Sequence, residues 1–217
     1  MMNISEALQV RRSCRAFKPD SVDKSILLAV LNEAVRTPSW ANSQPWEIFV
    51  AGGEVLRVIN QTYLENSRNN VSPNPDIPHP KSWPEIANIR LKELISGVSL
   101  AAGEAAVKQF GELNQKFFNA PAVIYLCMDK SLTTWSVFDL GALSQSIMLA
   151  AAEHGLATMP AVTLVHYPEV LRNKLDIPDN LSIVFGIAIG YEDDKHPINK
   201  FKSARRPVSE VVTSKGI

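Results

Sequence analysis

Arg11, Arg12, Ser13, Arg15 and Lys18 fall within eight residues of a chain whose 22 Lys+Arg are balanced by 22 Asp+Glu. In an extended segment alternate side chains share a side, so Arg11, Ser13 and Arg15 are expected to face one ligand. Guanidinium forks and a hydroxyl suit a phosphate monoester, which carries nearly two negative charges and three strong acceptors. The same residues also suit the solvated basic end of a helix, which the helix dipole favours. The segment alone leaves both readings open.

Two further groups can join such a site. Ser39, Asn42 and Gln44, in the stretch Pro38–Trp46, offer donors and acceptors matched to a planar heterocycle with imide edges. Asn, Ser and Pro also favour turns for purely local reasons. Lys202 and Arg205, in the polar tail, can return to the same anion or stay solvated.

Other chemistries lack their residues. No G-x-G-x-x-G follows a strand pattern, and there is no G-x-x-x-x-G-K-[ST] and no G-x-S-x-G. His79, His154, His166 and His196 are scattered without ligand spacing, so no metal site is expected. Cys14 lies among arginines, which lower a thiol pKa. No histidine neighbours it in sequence, and a structural role is expected. Cys127 reads as a small core residue.

Zero net charge argues against a general nucleic-acid binder or a membrane-surface protein. The 217 residues, 46% apolar and 20% charged, suit one sizeable core rather than two domains. Two cysteines make no disulfide framework, and a reducing, cytoplasmic setting is expected. The first residues show no basic-then-apolar leader pattern, and no apolar run reaches about 18 residues.

The elements that must position these groups follow from periodicity. Helices are expected over 4–12, with Asn3 as cap, and from a Ser21 cap to Thr37-Pro38. A strand over 47–51 ends at Gly52-Gly53, and a helix follows over about 54–66. Residues 67–85 are rich in Asn, Ser and Pro and read as an extended loop; helical pattern resumes over 86–117. The whole chain, 1–217, reads as one domain with an inserted segment at about 67–117 that roofs a site. Residues 122–128 form a buried strand, 135–154 a central apolar helix, 157–162 a short extended piece, 169–175 a short helix and 181–191 a core strand. Mixed strands and dominant helices indicate a three-layer α+β fold.

The order of these pieces resembles the nitroreductase family of FMN enzymes. The resemblance is carried by Arg11-Arg12-Ser13-Cys14-Arg15-Ala16-Phe17, Pro38 to Trp46, Asn119 to Val123, Asp139-Leu140-Gly141, Gly155 to Pro160, Gly186 to Tyr191 and the tail Lys202 to Val212. Trp83-Pro84 and Phe117 to Pro121 resemble the larger-insert branch. The resemblance implies a central, mainly antiparallel sheet flanked by helices, in an intertwined homodimer with FMN at the subunit interface. Arg11, Ser13 and Arg15 would hold the FMN phosphate and the flavin edge, with Arg12 behind them, and Lys202 and Arg205 would close on the phosphate. Ser39 and Asn42, with Gln44 in the same loop, would approach from the partner subunit. The backbone at Pro160, Ala161 and Val162 would lie beside the ring, and Asn114 and Lys116 are candidates for the ribityl chain. Some members carry a glutamate and glycine after this proline; here Ala161, Val162 and Thr163 follow.

The implied activity is ping-pong reduction of a nitroaromatic, quinone or related acceptor by NADH or NADPH, with no catalytic side chain required. Trp83, Phe110 and Phe117 would shape the acceptor pocket. Three alternatives stand beside it. They are another reaction on the same flavin fold, such as reductive dehalogenation or flavin fragmentation; a non-catalytic flavin-binding protein; and an anion or nucleic-acid module using Arg11 to Lys18.

Overall fold

The computed structural model describes residues 2–216. The first helix, α1 (Ile4–Val10), begins with a capping box in which Asn3 accepts from the Glu6 amide and Glu6 returns the bond. In α2 (Lys24–Ala34) the cap is Asp23, not Ser21: its Oδ1 accepts from the Ser25 amide at 2.6 Å. That start directs Val30 and Ala34 into the core. Then come β1 (Glu47–Gly52) and α3 (Gly53–Arg68). The helical stretch expected over 86–117 is two helices, α4 (Glu85–Ala102) and α5 (Glu104–Gln115). Gly103 divides them with φ +87°, a conformation that side chains disfavour. The chain continues through β2 (Ala122–Asp129), α6 (Thr134–Glu153), β3 (Ala157–Ala161), α7 (Pro168–Leu175) and β4 (Leu181–Gly190).

The strands form one antiparallel sheet in the order β1-β2-β4-β3. Side chains alternate across β2. Ile124 and Leu126 pack with Val30, Leu143 and Ile147 of α2 and α6, while Val123, Tyr125 and Cys127 pack with Ile59, Leu113 and Leu171 of α3, α5 and α7. Helices cover both faces, so β2 is apolar at nearly every position, as a strand buried on two sides must be. The result is the expected α+β, three-layer arrangement. Two glycines of β4 have no room for a side chain: a Cβ at Gly186 would lie 2.5 Å from Leu164 Cβ, and one at Gly190 2.5 Å from Pro121 Cδ. Among the described residues, no helix is long and apolar enough to cross a membrane.

Candidate functional site

The basic segment leaves α1 as an extended arm along β3. The Cys14 amide donates to Thr158 O at 2.9 Å, Ser13 forms a parallel bridge with Thr158, and Phe17 pairs with Glu192 beyond β4. Arg12 fastens the arm from behind. Its guanidinium pairs with Glu192 at 2.5 Å and donates to the Asn199 carbonyl. The Asn199 side chain accepts from the Arg15 amide and donates to the Ala16 and Asp193 carbonyls.

Arg15 is 5% exposed, yet no carboxylate is paired with it among the described residues. Its Nη1 donates to Ser13 O at 3.1 Å and its Nε has no partner. Burial lowers its pKa, Cys14 opposes the shift and the Arg12 charge adds to it. A buried, unpaired cation is costly, and an anion would offset that cost. Ser13 and Arg15 open on a cavity of about 860 Å³. Arg90, Lys202, Arg205 and Arg206 also line it, against Glu93 and Glu210, so five cations face two carboxylates. Arg11 lines a separate recess with Arg12, Thr158 and Glu192. Burial and then the charge of Arg205 lower the Arg11 pKa, which places these two guanidiniums within electrostatic reach of each other.

Along β3, Pro160 and Ala161 complete the strand and Val162 opens a short 3-10 helix, Val162–Val165. By strand rise, Val162 lies ~13 Å from Thr158. Beyond it is a second cavity, of about 460 Å³, lined by Asn70, Ser72, Asn114, Phe117, Thr163 and His166 among others. Thr163 Oγ1 donates to Asn114 Oδ1 at 3.2 Å, whereas Lys116 is exposed and does not line the cavity. Phe117 meets Tyr63 edge-on at 4.9 Å and belongs to a run, Phe117 to Asn119, with left-handed φ. Such a run is rare for residues other than glycine and is kept only where the surroundings enforce it. His79 and His166, distant in sequence, stack edge-on at 5.3 Å. Burial first, then His79, lowers the His166 pKa and favours its neutral form. Of the aromatics expected around an acceptor, Phe117 lines this cavity, Trp83 is exposed and lines neither cavity, and Phe110 lies against Arg15.

Ser39, Asn42 and Gln44 lie elsewhere in the same chain. Ser39 Oγ accepts from the Gln44 amide at 2.9 Å, Gln44 Nε2 donates to Asn42 Oδ1 at 3.4 Å, and the Asp139 carboxylate accepts from the Trp40 amide at 3.2 Å. Ala41, Asn42 and Gln44 have positive φ. Their loop leads into β1, at the sheet edge opposite β3. The adjoining recess, of about 480 Å³, is lined by Pro38, Ser39, Trp40, Trp135, Phe138 and Asp139, with none of the arm residues.

Asn199, Glu192, Arg90 and Phe201 are site residues that sequence reasoning missed. Glu192 and Phe201 adjoin recognised motifs, while Asn199 and Arg90 carry no local signal. Cys14 is buried, in keeping with the structural role expected of it. Its arginine neighbours are outweighed by burial, which pushes the thiol up to about 12, and Sγ donates to Ala16 O at 3.1 Å.

The basic arm thus lies beside the edge strand β3, and a cavity with Asn70, Asn114 and Gln115 in its wall lies at the strand's far end. The model of the nitroreductase family matches residues 8–191, and the chain belongs to that family. A 4-nitrobenzoate reductase of Nocardioides sp. (strain LMS-CY) is 30% identical over 212 residues, covering 94% of this chain and 86% of the relative. The solved structure of the FMN and NADPH-dependent nitroreductase NfnB from Sphigopyxis sp. strain HMH matches with a TM-score of 0.92 at 27% identity, over 100% of both chains. That of the FMN-dependent nitroreductase NfnB from Mycobacterium smegmatis in complex with NADPH matches with a TM-score of 0.88 at 25% identity, over 98% of this chain and 100% of the other.

Proposed function

We propose that this chain is an FMN-dependent oxidoreductase that uses NAD(P)H to reduce a nitroaromatic, quinone or related small acceptor. The observation that carries this reading is Arg15, a buried guanidinium without a counter-ion at one end of β3. The donor set fits FMN. Ser13, Arg15, Lys202 and Arg205 would hold the phosphate, Arg11 would add its charge, and Arg12 would brace the arm. The ring would lie against the backbone of Pro160, Ala161 and Val162, with Asn114 and Thr163 next to the cavity beyond. The chemistry such a cofactor supplies when bound is reversible two-electron transfer between a nicotinamide and an acceptor. The protein's own part is to bind, orient and exclude water, so no acid or base side chain need act.

A homodimer completes the site. Ser39, Asn42 and Gln44 lie at the wrong sheet edge to reach the arm of their own chain, and a second copy would bring them. Trp40, Trp135 and Phe138 are 68%, 66% and 73% exposed beside that loop, an apolar patch of the kind that marks an interface. In this reading the chain is one domain, and the segment at 67–117 is an insert over the site.

Absorbance spectroscopy and stopped-flow mixing test the proposal. The expected protein is yellow, and NADH or NADPH bleaches its flavin until a nitroarene restores it. Protein without flavin that takes up no added FMN overturns the proposal. A flavin that neither nicotinamide reduces leaves a flavin-binding protein instead.

A further inference from the structure

We propose that Phe110 and Phe201 are positioning residues that aim Arg15 at the cofactor phosphate, so that the insert belongs to the phosphate-binding device; this rests on the FMN reading above. The Arg15 guanidinium carbon lies 5.7 Å from the centre of the Phe110 ring and 5.1 Å from that of Phe201. Phe110 comes from α5, inside the insert, and Phe201 from the chain beyond β4. A cation within about 6 Å of an aromatic face is attracted by the ring quadrupole, more strongly when desolvated. Hydrogen bonds do little to fix this side chain: Nη1 reaches only the Ser13 carbonyl two residues away, and Nε reaches nothing. The two rings therefore set where the charge points.

The insert also holds the second ring. Gly97 of α4 lies so close to Phe201 that an added Cβ would come within 2.7 Å of its Cε2. Within the insert, α5 thus reaches the arm directly through Phe110, and α4 indirectly, by packing Gly97 against Phe201. Rings beside the guanidinium also keep water away, which strengthens its attraction to a dianion. The insert, expected from sequence to shape the acceptor pocket, contributes to cofactor retention as well.

Flavin release from the holoprotein tests the proposal. Dilution is followed by recovery of free-flavin fluorescence, for protein carrying FMN and for protein reloaded with riboflavin, which has no phosphate. Phe110→Leu and Phe201→Leu are each expected to weaken FMN retention about fivefold. Phe110→Tyr, which keeps the ring face, should stay near wild type, and riboflavin retention should change in none of them. Equal loss of FMN and riboflavin, an unchanged FMN affinity in the Leu variants, or the same loss in Phe110→Tyr as in Phe110→Leu would each overturn it. Should Phe201→Leu fail to fold, the half-buried Phe110 carries the test alone. Wild-type protein that holds FMN no better than riboflavin would instead refute the phosphate site itself, and the proposal with it.

Discussion

Asn199 grips the backbone on both sides of the Arg15 peptide: Oδ1 accepts from the Arg15 amide at 2.8 Å, and Nδ2 donates to the Ala16 carbonyl at 2.8 Å. The bond spans 184 residues and ties the tail to the arm. Because Asn199 is 4% exposed, water cannot replace it. Asn199→Ala should destabilise the protein by roughly 3 kcal/mol, since the Arg15 amide is left buried and unpaired. For a domain of this size that is a fall of about 6–12 °C in Tm, measured by calorimetry. FMN retention should fall with it, because the arm loses its anchor.

The loop between α3 and α4 is strapped down by one ion pair. Asp76 Oδ2 lies 2.6 Å from Arg172 Nη2 and also accepts from the Ile183 amide at 2.7 Å, while Arg172 donates to Leu181 O. The two side chains are 16% and 7% exposed. Asp76→Ala would leave the Ile183 amide unpaired and Arg172 with only its longer pairs to the exposed Glu169 and Asp179, at 3.7 and 4.0 Å, so it should cost roughly 2–3 kcal/mol. Limited proteolysis should find new cleavage within residues 69–84 of this variant; an unchanged digest would count against the strap.

Both thiols make stability depend on alkaline pH. Burial is the main cause that pushes Cys14 and Cys127 up to about 12 from an ordinary value of 9.0. Between these values the unfolded chain has released protons that the folded chain retains, so stability falls as pH rises. It should be full below about pH 9 and decline from there to about 12. Replacing both cysteines with alanine should flatten that decline in urea titrations. A maleimide at pH 8 should label the unfolded chain and spare the native one.

How much of this was legible in the sequence differs between backbone and site. Periodicity located each helix and strand to within a few residues because both faces of the sheet are covered and the apolar patterns are long. It failed at Ser21, since Asp20, Ser21 and Asp23 are all able to cap, and burial of Val30 and Ala34 decides among them. It ran across Gly103 because the apolar spacing resumes beyond the break. The arm was visible as a cluster of charge in a neutral chain. Its anchors were not: Asn199 and Phe201 reach Arg15 only after the chain returns past β4. Cys14 reads as structural and is buried, although local sequence shows only its arginine neighbours and not what covers it.

Gly186 couples the sheet to the backbone proposed to flank the flavin ring. It pairs with Ala161, and an added Cβ would meet Leu164 Cβ at 2.5 Å. Leu164 is fully buried in the 3-10 helix that follows Ala161, so the helix must shift to make room. Gly186→Ala should destabilise by about 1–3 kcal/mol through overpacking. The visible flavin band should move as well, because Val162 and Thr163 shift with Leu164. An unaltered spectrum at lowered Tm would remove Val162 from the flavin's surroundings.

The proposed dimer is open to a test that separates it from folding. Phe138 is 73% exposed on α6, and Trp135, one turn before it, stacks with Trp40 at 6.3 Å. A charge at Phe138 meets water in the single chain but would be buried in an interface. Phe138→Glu should therefore leave the monomer's helical circular dichroism intact while light scattering shows the mass halved. The separated chains should also lose flavin, although Arg11, Ser13 and Arg15 are untouched, because Ser39 and Asn42 would arrive only with the second copy. A stable monomer that keeps its flavin would place the whole site within one chain and remove these two residues from it.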